Sequence, residues 1–261
     1  MYVIQYCLLE KIKDPIDTLM NKGNSLDSLE KYDEAIACFD EAIKYCPEST
    51  GAWYHKGAAL KKLGRDEESE QCFTKAIELD ELAAKKFNVA MEQQRAKYNE
   101  GVRLNEQERH EEAIECYDKV TKMDPKYGDA WNNKGFSYYH LGNYEQSIAC
   151  CDKVIKINPK HESAWRIKGL AYGKLKNYKQ SIACCDKIIK LYTGNSDAWN
   201  NKGISLSSLE RHEEAIACFD EAIKHGPEYS DAWNNKGNSL KKLGKDKESK
   251  QCFAKSKELE G

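Results

Sequence analysis

The sequence predicts an all-α solenoid, a stack of seven helix-turn-helix units, and three observations lead there. The first is a period of 34 residues, plainest in DAWNNKG at 129–135, SAWRIKG at 163–169, and DAWNNKG again at 197–203 and 231–237. A fixed period of this length marks stacked units that are each too small to bury an apolar face alone. The second is composition: a mean hydropathy of -0.80, 32% charged residues and five Pro describe helix formers, with too little Val and Thr for a sheet protein. The third is a glycine at one place in every period: Gly23, Gly57, Gly101, Gly135, Gly169, Gly203 and Gly237.

Extending the period divides the 261 residues into repeats at 16–49, 50–83, 94–127, 128–161, 162–195, 196–229 and 230–261. Residues 1–15 precede them. Ile4, Leu8 and Ile12 share one helical face there, which predicts a short packing segment over the first repeat, and Asp14-Pro15 suits a helix start. Residues 84–93 interrupt the period. No Gly or Pro occurs between Arg65 and Asn99, so the insertion is expected to be helical, lengthening helix A of repeat 3 from about Leu82.

Inside a repeat, each marked position has a physical reason. Gly in mid-helix costs about 1 kcal/mol relative to Ala, so its recurrence predicts that helix A and helix B approach too closely there for a Cβ. Twelve residues on comes a small residue (Ala35, Ser69, Ala113, Ser147, Ser181, Ala215, Ser249) that offers the matching flat surface. Pro47, Pro125, Pro159 and Pro227 then end helix B. A size exchange supports the nesting. Where helix B carries Phe39, Phe73, Tyr117, Phe219 or Phe253, helix A carries Leu26, Leu60, Leu104, Leu206 or Leu240; where helix B has Cys151 and Cys185, helix A has Tyr138 and Tyr172. Repeat 7 has Ser256-Lys257 where other repeats have Ala42-Ile43, Val154-Ile155 or Ala222-Ile223, which predicts the polar outer face of a terminal repeat. Residues 21–80 and 201–260 agree at about two-thirds of positions, giving repeat 2 a terminal-type ancestor.

These residues resemble the tetratricopeptide repeat. Trp53, Trp131, Trp165, Trp199 and Trp233 stand at its tryptophan position and the seven glycines at its glycine position, over all but residues 1–15 and the insertion. The resemblance implies a right-handed superhelical solenoid of stacked repeats. It also implies a concave groove lined by the A helices, with the second, fifth, sixth, ninth and thirteenth positions of each repeat facing in.

Enzyme chemistry finds no support in the sequence. The six His show no metal-ligand spacing, and no phosphate loop, nucleophile elbow or dinucleotide fingerprint occurs. No cofactor is expected. A net charge of -2 with both signs interspersed gives no basic stripe for nucleic acid. The longest apolar run, YVIQYCLL, is too short for a bilayer, and the cysteines read as reduced thiols of the cytoplasm. Cys38, Cys72, Cys116, Cys150, Cys184, Cys218 and Cys252 recur at one position, like a ladder. Packed helices lie about 8–10 Å apart, whereas the ligands of one zinc lie about 2.3 Å from it. Apolar filler is therefore the expected role, with a thiol-based redox or metal sensor as the distant alternative.

The groove that the resemblance implies is the expected site. Its sixth positions hold Asn21, His55, Asn99, Asn133, Ile167, Asn201 and Asn235, and three fifth positions hold Asn132, Asn200 and Asn234. A carboxamide carries both donor and acceptor, so a row of them is suited to the backbone of an extended chain. The ninth positions (Asn24, Ala58, Val102, Phe136, Leu170, Ile204, Asn238) are apolar at the centre and polar at the ends, which predicts side-chain selectivity. The clamp by which related co-chaperones hold a chaperone tail is absent: repeat 1 has Met20 with Asn24, and Asp17, Asp129, Asp197 and Asp231 hold second positions. The expectation is a cytoplasmic scaffold or adaptor, monomeric or weakly oligomeric, gripping an extended segment of a partner protein without nucleic acid or membrane. The alternative is a structural module that self-associates through its ends.

Overall fold

The structure is a computed structural model that describes residues 2–260, with side chains from residue 15 onward. Among the described residues it contains thirteen helices and no strand. They are α1 (Tyr2–Ser28), α2 (Tyr32–Tyr45), α3 (Thr50–Lys62), α4 (Asp66–Glu106), α5 (His110–Met123), α6 (Gly128–His140), α7 (Tyr144–Ile157), α8 (Glu162–Lys174), α9 (Tyr178–Leu191), α10 (Ser196–Ser208), α11 (His212–His225), α12 (Ser230–Lys242) and α13 (Asp246–Glu260). The chain forms two compact units, Met1–Glu92 and Gln93–Gly261. Each is a stack of antiparallel A and B helices, the repeat fold of a helical solenoid.

Two helix starts differ from the expected ones. α1 is continuous from Tyr2 with Pro15 inside it, so no helix begins at Asp14-Pro15. The packing role expected of residues 1–15 falls on side chains outside those described. The helix expected to begin near Leu82 has no start there, because α4 runs unbroken for 41 residues from Asp66. Glu81 stands where Pro closes helix B elsewhere, and the Ala-, Lys- and Glu-rich stretch after it holds nothing that ends a helix.

Every helix A ends in the same way. The fifteenth residue of each repeat has a left-handed backbone, supplied by Gly64, Gly142 and Gly244 but also by Glu30, Glu108, Lys176 and Glu210 at φ 59–60°. The next backbone N–H then turns back to the eleventh carbonyl, as in Arg109 to Leu104 at 2.9 Å and Asn177 to Tyr172 at 2.8 Å. This doubled-back end satisfies carbonyls that the helix leaves unpaired and aims the chain into helix B.

At the conserved turn of helix A the two helices of a repeat meet without a gap. A Cβ on Gly203 would lie 2.5 Å from Cε1 of Phe219, a ring that is itself buried. At Gly135, where helix B carries cysteines, the nearest atoms would be the Cys150 Cβ and Cys151 Sγ at 3.3 Å. The small residue opposite does more than leave room: Ser69, Ser147 and Ser249 donate their hydroxyls to the carbonyls of Gly57, Gly135 and Gly237 at 2.7–2.9 Å.

Between repeats, the Trp and Lys of helix A fasten it to the helix B before it. Trp53, Trp131, Trp165 and Trp233 donate Nε1–H to the carbonyls of Pro47, Pro125, Pro159 and Pro227 at 3.0–3.1 Å. Three residues after each Trp, Lys56, Lys168, Lys202 and Lys236 reach Asp40, Asp152, Asp186 and Asp220 at 2.5–2.7 Å, and Lys134 reaches Asp118. Each ammonium also sits 5.1–5.7 Å from the centre of its tryptophan ring. A half-exposed ion pair contributes about 0.2–1 kcal/mol, and a cation over an aromatic face about 0.5–1 kcal/mol.

The size exchange takes a different form from the expected one. Leu60 and Leu240 are buried, but Tyr138 and Tyr172 are only half-buried, with Lys134 and Lys168 at 5.6 and 5.8 Å from their ring centres. The space beside Cys151 is taken up by Ile167 of the next repeat, packed in one cluster with Cys151, Val154 and Ala164. Beside Cys185 a crevice of about 10 Å³ remains. In the last repeat Lys257 is exposed, but Ser256 is buried and donates to Glu260 at 3.5 Å, so only one of the two substitutions faces outward.

Gly203→Ala is expected to destabilise unit 2 by about 1–3 kcal/mol, because the new methyl overlaps a ring that cannot move aside. Gly135→Ala should change stability by less than about 1 kcal/mol, its mild crowding offset by the gain in helix propensity. Urea unfolding followed by circular dichroism compares them, and equal losses would refute the ring-in-groove account.

Candidate peptide-binding groove

The A helices of unit 2 present two open cavities built from positions four or so residues apart on successive helices. The first, of about 330 Å³, lies where the end of α4, α6 and α8 adjoin; Val102, Asn132, Asn133 and Phe136 line it together with Asn105, Glu106, Tyr117, Ser163 and Ile167. The second, of about 740 Å³, is lined by Ile204, Asn235 and Asn238 with Ser207, Ser208, His212, Phe219, Lys241 and Lys242. Leu170 and Asn201 line only the crevice beside Cys185. Asn99, Asn200 and Asn234 line none of these three, and Asn21 and Asn24 belong to unit 1, where Asn21 is exposed and Asn24 half-buried.

The asparagines are not a row of free carboxamides. Asn133 donates Nδ2–H to the Tyr98 hydroxyl at 3.1 Å and accepts from Asn132 at 3.4 Å. Asn235 donates to Oδ1 of Asn200 at 3.0 Å, and Asn200, 3% exposed, donates to the Tyr229 hydroxyl at 3.3 Å. The sixth position of one repeat is thus bonded to the fifth position of the repeat before it. Asn200 is a buried link between repeats, its amide bonded to both Asn235 and Tyr229. Asn133 also lies against the Tyr117 hydroxyl, Asn235 keeps a second N–H, and Asn132 Oδ1 is buried without a partner among the described residues.

Several lining residues were not singled out in the sequence, among them Asn105, Glu106, Lys241 and Lys242. Asn105, at the twelfth position of repeat 3, donates to the Tyr117 hydroxyl at 3.2 Å and accepts from Ser137 at 2.7 Å, with the His110 Nδ1 at 3.1 Å. That network holds the floor of the first cavity. Burial raises the Tyr117 hydroxyl well above its ordinary range and keeps it neutral. Ile167 breaks the asparagine row because it is 2% exposed and fills the core beside Cys151. The small partner at 151 was the available signal for it. Glu106, at the thirteenth position, is the first cavity's one carboxylate.

The cysteine ladder is buried throughout its seven rungs. Burial pushes Cys150 and Cys184 up to about 11, and Cys151 and Cys185 up to about 12. A thiol so far from ionising is a poor nucleophile and a poor metal ligand at neutral pH. Among the described residues no group of three or more His, Cys, Asp or Glu is placed to hold a metal ion, and no helix is long and apolar enough to cross a membrane.

Unit 1 ends in a third open surface, a cavity of about 490 Å³ between α3 and the first half of α4, lined by Gly51, Tyr54, Phe73, Ala76 and Ile77 among others. Ile77 is 60% exposed, whereas Ile43, Ile155, Ile189 and Ile223, at the same repeat position, are half-buried.

Stacked helix pairs with open cavities along the A helices define a protein-interaction scaffold of helical repeats. The chain belongs to the tetratricopeptide repeat family: the profile of that repeat matches residues 16–49, 51–81, 128–161 and 196–229, and two further profiles of the repeat match 101–142, and 163–195 with 230–261. Mitochondrial import receptor subunit TOM70 of Rattus norvegicus is 36% identical over 72 residues, which is 26% of this chain and 12% of the length of that curated relative. An uncharacterized protein of Methanocaldococcus jannaschii is 34% identical over 68 residues, covering 26% of this chain and 79% of its own. Among solved structures, MamA residues 41 to the end from Desulfovibrio magneticus RS-1 superposes with a TM-score of 0.60 at 22% identity, over 64% of this chain and 95% of that one. A second MamA crystal structure gives 0.58 at 24% identity, over 61% and 94%. At this identity the likeness is one of fold.

In the native protein at neutral pH, iodoacetamide is expected to modify half-exposed Cys46 well before Cys151 and Cys185. Peptide mapping by mass spectrometry reads the order. Early modification at 151 or 185 would return the thiol-sensor reading.

Proposed function

We propose that this protein is a scaffold that holds an extended segment of a partner protein along the A-helix face of unit 2. The observation that supports this most directly is the first cavity, where an apolar wall of Val102, Phe136 and Ile167 stands beside the carboxamides of Asn132 and Asn133. An apolar side chain of the segment enters against Phe136, and its peptide groups meet the carboxamides of Asn132 and Asn133. Each such bond contributes about 0.5–1.5 kcal/mol net, so affinity accumulates over several repeats. The Asn133–Tyr98 and Asn235–Asn200 bonds hold these amides in one orientation before the segment arrives, which lowers the entropy cost of binding. A relative named as an import receptor subunit is in keeping with this reading.

A peptide array probed with wild type and two variant sets tests it. Asn133→Ala with Asn235→Ala should weaken many peptides by similar factors, about three- to tenfold overall, and leave the order of preference unchanged. Phe136→Ala should change which peptides bind. Circular dichroism confirms folding, and unchanged binding in both sets would remove the groove from consideration.

The exposure of Ile77 favours a second reading, in which the open end of unit 1 takes an A-type helix of a second copy. The support is internal: half-buried Ile155, at the same repeat position, packs with Ala164 and Ile167 of the next helix A. Sedimentation of wild type and Ile77→Lys decides it. A concentration-dependent dimer lost in the variant is the expected outcome, and a monomer at all concentrations overturns it.

A further inference from the structure

We infer that the second cavity of unit 2 receives a negatively charged side chain of the bound segment, either a carboxylate or a phosphate. The inference rests on the groove reading above and names the chemistry at one end of that groove.

The chain carries its own control. Residues 21–80 and 201–260 are near copies, offset by 180 positions, so each half shows what the other has changed. In unit 1 the Lys62 ammonium is neutralised internally: Asp27 accepts from it at 2.7 Å, and the Tyr32 ring centre lies 5.2 Å away. Lys242 is the counterpart of Lys62. Its counterpart carboxylate is gone, because Ser207 stands in place of Asp27, and His212 in place of Tyr32. Ser207 instead accepts from Ser239 at 3.3 Å and lies 3.3 Å from the His212 Nδ1. Among the described residues neither Lys241 nor Lys242 makes an ion pair, and no carboxylate lines the cavity that both border.

Two lysines and the carboxamides of Asn235 and Asn238 therefore border a space of about 740 Å³ that no carboxylate lines. That volume accommodates a carboxylate or phosphate on its side chain. Ile204 on the wall keeps part of the space apolar, which reduces screening of the charges. Lys gives a point charge rather than a forked pair of donors, so the cavity selects for charge more than for the planar shape of one group. The chain as a whole is at -2, so an acidic segment is drawn to this end locally and not by the net charge.

The test uses the full chain. Nitrogen-15 NMR with inorganic phosphate should give saturable shifts at the amides of Ser207, Asn238, Lys241 and Lys242. Peptides that bind on the array are then compared as Glu against Gln and as phosphoserine against Ser. The charged member of each pair should bind about tenfold more tightly at low salt, with the advantage shrinking as salt is added. Ser207→Asp rebuilds the internal partner present in unit 1 and should abolish that advantage; Lys242→Gln serves if that variant does not fold. A larger gain from phosphoserine than from Glu assigns a phosphorylated segment, and the reverse an acidic one. The inference falls if peptides bind with no charge preference, or if none binds and phosphate leaves those four amides unmoved. Localised phosphate shifts without any peptide binding would instead remove the groove reading and keep the anion site.

Discussion

Everything in the stack depends on how closely helix A and helix B of one repeat can approach. The glycine of helix A sets that distance, since a methyl at Gly23 or Gly203 would lie 2.5 Å from the aromatic ring of helix B. Once the helices nest, the ring fills the interior of the repeat, and in the repeats with a serine opposite, such as Ser69 and Ser249, its hydroxyl reaches the glycine carbonyl. The left-handed residue seven positions after the glycine then turns the chain without slack. Nesting also fixes which face of helix A remains for its neighbours: one side receives the tryptophan and lysine contacts to the repeat before, and the opposite side stays open. The cavities of unit 2 are a product of that division.

Repetition makes each interaction count several times while leaving each one weak. A single half-exposed Lys–Asp pair or Trp–carbonyl bond contributes little. The Lys–Asp pair recurs at the start of five repeats, whereas repeats 2 and 3 are joined by the unbroken α4. Repeats stabilise mainly their nearest neighbours in such a stack. Changes at groove positions therefore leave the packing of distant repeats alone.

The period, the nested glycine and the family were legible in the sequence because one steric constraint acts at short range and recurs seven times. The Lys–Asp pairs were not read, since sixteen residues and a tight turn separate partners that only the folded helices bring together. At the site Val102, Asn132, Asn133 and Phe136, named from the sequence, line one cavity together. The state of each amide was not legible, because it depends on a tyrosine in another element: Tyr229 accepts from Asn200, and Tyr98 accepts from Asn133. Ile167 looked like a gap in a polar row and is core, because Cys151 leaves room for it. Helix ends failed where context decides them, at Pro15 and Glu81, since absence of a stop signal fixes continuity but not where a helix begins.

Near copies within one chain show how such a surface changes its chemistry. Asp27 and Ser207 occupy the same place on helix A, apart from the glycine, ring and tryptophan contacts; Asp27 reaches Lys62, and Ser207 reaches Ser239 and His212. With Asp there the neighbouring lysine is neutralised inside the protein; with Ser the same lysine is left to the cavity. The change costs the fold about the worth of one exposed ion pair, roughly 0–1 kcal/mol, because the glycine, the ring and the tryptophan contacts are untouched. It alters the electrostatics of a space large enough for a ligand side chain. Packing positions and groove positions interleave along one helix yet answer to different constraints, so recognition at one end of the stack is open to change while the stack itself stays as it is.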